Sequence, residues 1–337
     1  MSVLLLTDTE EGYWSFEERL GDSFKVDCRH KATNRPEFHK NKLGTLRRYF
    51  HYFAFPLKFA LKRNQGWECM VAWQQFFGLN TAFWSRLLHL PKKAPLLTMT
   101  FIYNPKAGLA GKIYGKYIKY CLTGGYIDKV ICYSPQECES YSRSFGISPE
   151  LFAFVPLGIS KAEGPELHPV KGDYVFSTGR SNRDFTFLVD ALKDRYDLRI
   201  ATQGFASPAA GSVRKLEILD NCFGDDMLRR MSESLCVVIP LDDISVSSGQ
   251  LVVLQAMRMG KPVIVTENVT MSTYIDNGKT GFIIPKDKDE LLRTIDRLAS
   301  DSELYEKVSR CQRETFLKKF TEEALADRIA DIIRQVK

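Results

Sequence analysis

Between Phe38 and Tyr120 the chain contains one acidic residue, Glu68, against 14 lysines and arginines. A plain solvated surface mixes both signs, so this interval is not ordinary surface. Long hydrophobic runs are also missing. No stretch of about 18 or more apolar residues occurs, which excludes a helix spanning a bilayer. The eight cysteines (Cys28, Cys69, Cys121, Cys132, Cys138, Cys222, Cys236, Cys311) show no CxxC spacing and sit mostly in apolar segments. They read as reduced packing residues, with neither disulfides nor zinc expected. HExxH, GxSxG, paired carboxylates and Cys/His clusters are absent, and the five histidines (His30, His39, His51, His89, His168) are dispersed. His51 and His89 read as helix-face residues. The opening MSVLLLTDTE enters a strand directly, without the basic flank or cleavage site of a secretory signal, so a cytoplasmic location is expected.

What is present fits two domains of ordinary size in 337 residues, with 44% apolar residues to fill their cores. The charge is uneven: residues 1–160 hold 21 Lys and Arg against 13 Asp and Glu, and the rest hold 26 against 28. In the basic interval aromatics interleave with the cations, as in FHKNKLGTLRRYFHYFAFPLKFALKRN. Such interleaving suits an anionic membrane surface or a nucleic acid. Residues 42–63 have helical periodicity (Leu43, Leu46, Phe50, Phe53, Leu57, Leu61), with Arg47, Arg48, Lys58, Lys62 and Arg63 around it. Pro56 should kink that helix or begin a second one. Lys112, Lys116 and Lys119 lie on one face of a later helix, where they either meet a phosphate-bearing acceptor or face water.

Short apolar runs at 3–7, 24–28, 69–73, 96–103 and 129–134 read as strands of a first α/β layer, and those at 174–177, 198–201, 235–240 and 263–265 as strands of a second. The stretch SVSSGQLVVLQAMRMGKPVIV, residues 245–265, organises the second group. Small polar residues (Ser247, Ser248, Gly249) open a helix with apolar spacing, Gly260 ends it, and Pro262 leads into the next strand. The βαβ unit so formed leaves a helix N-terminus whose amides favour a phosphate or diphosphate.

LQAMRMGKPVIV resembles the nucleotide-sugar segment of GT-B glycosyltransferases of the large family 4 type, in which a Glu-x7-Glu pair precedes a Gly-x-Pro-Val-Val ending. Here Ser247 and Gln255 stand at the two glutamate positions. The resemblance implies that Ser247, Ser248, Gly249 and Gln250 cradle a diphosphate and that Gln255 meets the ribose. Three further stretches carry it. DKVICYS with FVPLGI is similar to the end of the family's first domain, and YIDNGKTGFIIP to a stretch of its second. The loop TGRSNRD is similar to the family's Gly-Arg…Lys element, with Gly179 and Arg180 on the Gly-Arg and Arg183 on the lysine. Two guanidiniums beside a glycine turn can grip a diphosphate bidentately; the alternative for Arg180 is a surface salt bridge to Asp184. Asp242 and Asp243 are either sugar-hydroxyl ligands or turn residues.

The fold the resemblance implies is α/β, GT-B, with two Rossmann-like domains facing a central cleft. They would be an acceptor and membrane-side domain over 1–160 and a donor domain over 161–320, linked near 158–172, with a last helix (321–337) crossing back to the first. The implied activity is a metal-independent glycosyltransferase without cofactor. It would move a sugar from a UDP- or GDP-type donor to a lipid-linked or polysaccharide acceptor in cell-surface glycan synthesis, peripherally at the inner face of the membrane, with no nucleic-acid partner. Asp8, Glu10 and Glu11, after the first strand, are the candidate catalytic bases; a front-face retaining mechanism would need none. Arg47, Arg48, Lys112, Lys116 and Lys119 are the candidate acceptor or membrane contacts. A nucleotide-sugar epimerase and a non-catalytic module binding anionic membrane or nucleic acid remain alternatives.

Overall fold

The structure, a computed structural model, describes all residues except 13, 34, 39, 64–65, 106, 163–168, 194 and 206–214. His39, His168 and part of the expected linker lie outside the described residues. The chain divides into two compact units, Met1–Val155 with Leu325–Lys337, and Pro156–Ala324. Ile159 donates its amide to Phe320 O (3.0 Å) and accepts from Glu322 N (3.1 Å), which ties residues on both sides of the expected boundaries into the second unit.

The first unit is built from β1 (Ser2–Thr7), α1 (Ser15–Gly21), β2 (Lys25–His30), α2 (Lys42–Lys62), β3 (Cys69–Ala72), α3 (Gln75–Leu87), β4 (Leu96–Thr98), α4 (Gly108–Leu122), β5 (Lys129–Cys132), α5 (Pro135–Phe145) and β6 (Phe152–Phe154). Its strands pair in parallel in the order β2-β1-β3-β4-β5-β6. Strand alternation sends Leu4, Leu6, Met70, Ala72 and Val130 to one face, into a core shared with Phe59, Phe77, Ile118 and Tyr141 from α2, α3, α4 and α5. On α1, Arg19 bonds Asp327 of the last helix at 2.8 Å. The strand expected over 96–103 stops at Thr98, and residues 99–103 run on as irregular backbone.

Pro56 neither breaks α2 nor starts a second helix: Lys42–Lys62 is one element with Pro56 inside it. Proline has no N–H for the carbonyl of Tyr52 four residues back. The fully buried Asn80 of α3 supplies the missing donor, Nδ2 to Tyr52 O at 2.9 Å, while its Oδ1 accepts from Tyr117 of α4 at 2.9 Å. One amide thus ties three helices. At the base of α2, the fully buried Arg63 donates to Ala94 O (2.9 Å) and Tyr126 O (2.8 Å), and burial pulls its pKa down to about 10.

The second unit continues with β7 (Tyr174–Thr178), α6 (Phe185–Leu192), β8 (Asp197–Ala201), β9 (Lys215–Leu219), α7 (Gly224–Ser232), β10 (Cys236–Ile239), α8 (Gln250–Met259), β11 (Val263–Thr266), β12 (Phe282–Ile284), α9 (Lys288–Ser300) and α10 (Ser302–Lys319). The last helix, α11 (Glu322–Gln335), begins in this unit and passes most of its length to the first. The sheet is again parallel, in the order β12-β11-β10-β7-β8-β9. Both faces are covered, so its strands read as continuous apolar runs. Phe176, Val237 and Val265 pack with α7 and α8, and Val175, Val238 and Ile264 pack with α6 and α9. Strand β9, with no fully buried position and charges at Lys215 and Glu217, had no sequence signal.

Lys261, just past α8, is buried, and its ammonium donates to Val170 O and Ser234 O (2.6 Å each) and to Tyr305 (3.2 Å). Among the described residues no carboxylate neutralises it, and burial lowers its pKa from 10.5 to about 8.

Two predictions follow from this packing. Asn80→Ala leaves Tyr52 O and the Tyr117 hydroxyl without partners and is expected to cost about 2 kcal/mol of unfolding free energy, read by denaturant titration. For Lys261, the unfolded chain holds a proton that the native state has lost between pH 8 and 10.5, so stability from this group rises across that window. Wild type should gain melting temperature relative to Lys261→Met as pH is raised through it, and a constant difference would refute the assignment.

Candidate functional site

In the second sheet β7 and β10 are neighbours, yet the chain leaves β7 toward β8 on one side and β10 toward β11 on the other. Their carboxyl ends therefore splay apart into the crevice that collects ligands in open α/β sheets. The two segments singled out in the sequence, 179–184 and 240–250, are the loops that follow these two strands.

The loops are stitched together. Arg183 and Leu241 form an isolated antiparallel bridge, and Asp184 N donates to Pro240 O at 2.8 Å. Asn182, at φ +54°, accepts from Asp243 N at 2.7 Å and donates to Asp243 O (3.0 Å) and Ser248 Oγ (2.9 Å). From beyond β11, Asn268 donates to Ile244 O (3.0 Å) and Val246 O (2.8 Å). Neither asparagine was singled out by the sequence reading. Asn182 carried a usable signal, since asparagine tolerates the left-handed region where other side chains do not.

Gly179 and Arg183 interlock. Gly179 adopts φ +137°, and a Cβ there would lie 2.5 Å from Arg183 Nε, so only glycine lets the guanidinium fold over the turn. Arg183 Nε donates to Thr178 O (3.1 Å) and Nη1 to Ser181 O (3.0 Å). Among the described residues it has no carboxylate partner, and burial lowers its pKa to about 10. A fixed, half-buried cation aimed from a glycine turn is suited to an anion. Arg180 is exposed and lies over the ring of Phe223 at 4.8 Å. Its alternative partner, Asp184, instead caps α6 by accepting from Phe187 N (2.8 Å) and pairs with Lys286 at 2.7 Å.

Gly249 precedes α8 at φ +94°, and no side chain caps that helix, leaving first-turn amides for a ligand. Ser247 accepts from the Gln250 side chain at 2.5 Å. Gln255, 8% exposed, has no hydrogen-bond partner for its amide among the described residues. Asp243 is a turn residue, accepting from the amide (2.8 Å) and hydroxyl (2.6 Å) of Ser245, and Asp242 pairs with Lys286 at 3.0 Å.

In the first unit a pocket of about 510 Å³ lies beyond the carboxyl ends of β1 and β2. Glu10, Glu11, His30, Arg47 and His51 line it, with Glu10 held by Arg35 at 3.0 Å. Arg47 and His51, one helical turn apart on α2, both approach the buried ring of Phe38, at 5.9 and 5.7 Å. Burial, then Lys31 and Arg47, lowers the pKa of His51. The fold thus joins two of the expected carboxylates with one expected acceptor contact, and it adds a histidine that the sequence had assigned to a helix face. Asp8 stands apart from the lining; it accepts from Thr33 at 3.4 Å, and burial raises its carboxyl pKa. Arg48 lies over Tyr49 at 5.8 Å, while Lys112, Lys116 and Lys119 are exposed along α4 and do not line the pocket. Among the described residues one trio, Glu17, Cys28 and His30, brings possible ligand atoms within 4.8 Å of one another. It went unnoticed in sequence because Glu17 joins it only through folding. Burial and Glu17 hold the Cys28 thiol protonated.

Comparison with known proteins bears on the fold. Residues 180–301 match the family profile described as Glycosyl transferases group 1. No curated relative matches the chain by sequence. Among solved structures, Anabaena Alr3699/HepE in complex with UDP-glucose superposes with a TM-score of 0.66 at 13% identity, over 99% of this chain and 100% of that one. Sucrose-phosphate synthase (tll1590) from Thermosynechococcus elongatus gives 0.67 at 17% identity, over 99% and 98%. A glycosyltransferase from Rickettsia africae gives 0.64 at 16%, over 99% and 98%. The shared fold is GT-B.

Asn182→Ala should release the loop after β10. Hydrogen exchange of the amides at 243–249 is expected to speed up about tenfold, with the sheet amides of β7 and β10 unchanged.

Proposed function

We propose that this chain, with its group 1 glycosyltransferase domain on a GT-B scaffold, transfers a sugar from a UDP- or GDP-type donor to a lipid-linked or glycan acceptor. Cell-surface glycan assembly at the inner face of a membrane is the proposed setting. The observation that carries the reading is the pairing, at one switch point, of the uncapped α8 N-terminus with the carboxylate-free guanidinium of Arg183.

In this reading the diphosphate rests against the amides after Gly249, with Ser247, Ser248 and Gln250 at its flank. Arg183 and Arg180 meet the charge that grows on it as the bond from the sugar's anomeric carbon to the phosphate oxygen breaks. No metal is needed for that charge. The unpartnered amide of Gln255 takes the ribose hydroxyls, which a neutral amide can do by donating as well as accepting. The acceptor oxygen forms the new bond to the anomeric carbon and gives up its proton. Two groups can take that proton: the departing diphosphate, or a carboxylate of the first unit. Asp8, whose raised pKa favours proton uptake, and the pocket residues Glu10 and Glu11 are the candidates. The superposed Alr3699/HepE complex with UDP-glucose supports the donor class.

Calorimetry with UDP, GDP and their sugars tests this. One nucleoside diphosphate is expected to bind, and Arg183→Ala should weaken it about 100-fold while Arg183→Lys recovers part of the loss. If neither nucleotide binds the wild type, the reading fails. If binding is intact in Arg183→Ala, the site assignment fails.

A further inference from the structure

The helical periodicity of α2 marks its outer face. Its buried side is formed by Tyr52, Pro56, Phe59 and Ala60, whereas Leu43 (74% exposed), Leu46 and Phe50 (66% each) form a stripe turned to solvent. α4 repeats the pattern, with Leu109 (75%) and Ile113 (59%) one turn apart and outward. The two helices flank α3 and are locked to it. Phe53 of α2 packs on Tyr117 of α4 with centroids 6.2 Å apart, and Trp84 of α3 donates to Phe53 O at 2.8 Å. Neither α2 nor α4 contains an acidic residue, and Lys42, Arg47, Lys58, Lys112, Lys116 and Lys119 stand exposed along them.

We propose that this face is a monotopic docking surface for an anionic phospholipid bilayer, in which Leu43, Leu46, Phe50, Leu109 and Ile113 enter the acyl boundary and the surrounding lysines and arginines meet lipid phosphates. Exposed aliphatic stripes of this kind are removed from water by burial among acyl chains, and the cations add attraction to anionic headgroups. A second copy of the chain does not suit the face, because pairing would set cation against cation. A nucleic acid suits it less, since four of the five side chains, Leu43, Leu46, Leu109 and Ile113, are aliphatic and offer bases no stacking surface. The inference deepens the proposed function by naming where a lipid-anchored acceptor is met. Arg47 and His51, which line the first unit's pocket, ride on the same helix turns as the stripe.

The test is flotation of the purified chain with vesicles of phosphatidylglycerol and phosphatidylcholine, and with phosphatidylcholine alone, without any sugar nucleotide. The chain should float with the anionic vesicles only, and Leu43→Ser/Leu46→Ser/Phe50→Ser should lower the bound fraction about tenfold or more at unchanged melting temperature. Lys112→Glu/Lys116→Glu should also weaken binding, by about tenfold, and mainly at low salt. The proposal is overturned if the wild type stays unbound, if the triple serine variant floats like wild type, or if the stripe instead drives concentration-dependent dimerisation in sedimentation runs. Because nucleotide calorimetry reads the second unit, failure here leaves the donor-site result standing, and the reverse also holds.

Discussion

The side chain of Asn182 holds the second unit's functional end together. The two loops leave neighbouring strands toward opposite sides of the sheet and share only the short backbone bridge at Arg183 and Leu241, so side chains must hold the rest of the gap. Asn182 crosses the gap with both ends of its amide, binding Asp243 at 2.7 Å and Ser248 at 2.9 Å, and Asn268 braces the far side. The loop that presents Ser247, Ser248 and Gly249 is thereby fixed before any ligand arrives. A site preorganised in this way spends little binding energy on ordering itself.

The same economy explains Arg183. A guanidinium kept over Gly179 by three backbone carbonyls, of Thr178, Ser181 and Asn182, has already lost its rotamer freedom and part of its water. Its charge is uncompensated by any carboxylate among the described residues, so an incoming diphosphate relieves an existing penalty rather than displacing a partner. Ser247 and Gln255 bring no negative charge to this end of the unit, which leaves the balance in favour of anions.

Much of this was legible in the chain because it rests on local rules. The 245–265 stretch announces its helix through small residues, apolar spacing and Gly260, and α8 runs over Gln250–Met259 as that pattern requires. The loops after β7 and β10 were found by pattern, and strand order, which only tertiary pairing fixes, brings them together. Where the sequence reading failed, a distant residue decided. Pro56 reads as a kink or a second helix start until Asn80 supplies the lost donor, and the alternative of an Arg180–Asp184 salt bridge falls away because Lys286 takes that carboxylate. Strand β9 lacks an apolar run, and His51 gained its role only from the position of Phe38. Periodicity found α2 but could not say which of its two apolar faces turns inward, since both repeat at helical spacing.

That helix also fixes a height. Arg47 and Phe50 lie three residues apart on one unbroken rod, a separation of about 4.5 Å along its axis at the usual rise per residue. The pocket residue and the outward ring cannot move independently, so α2 works as a gauge. Under the proposed bilayer docking, however deep the ring sits, Arg47 in the pocket lining follows at a fixed offset, and acceptors would be sorted by how far their reactive hydroxyl stands above the layer that anchors them.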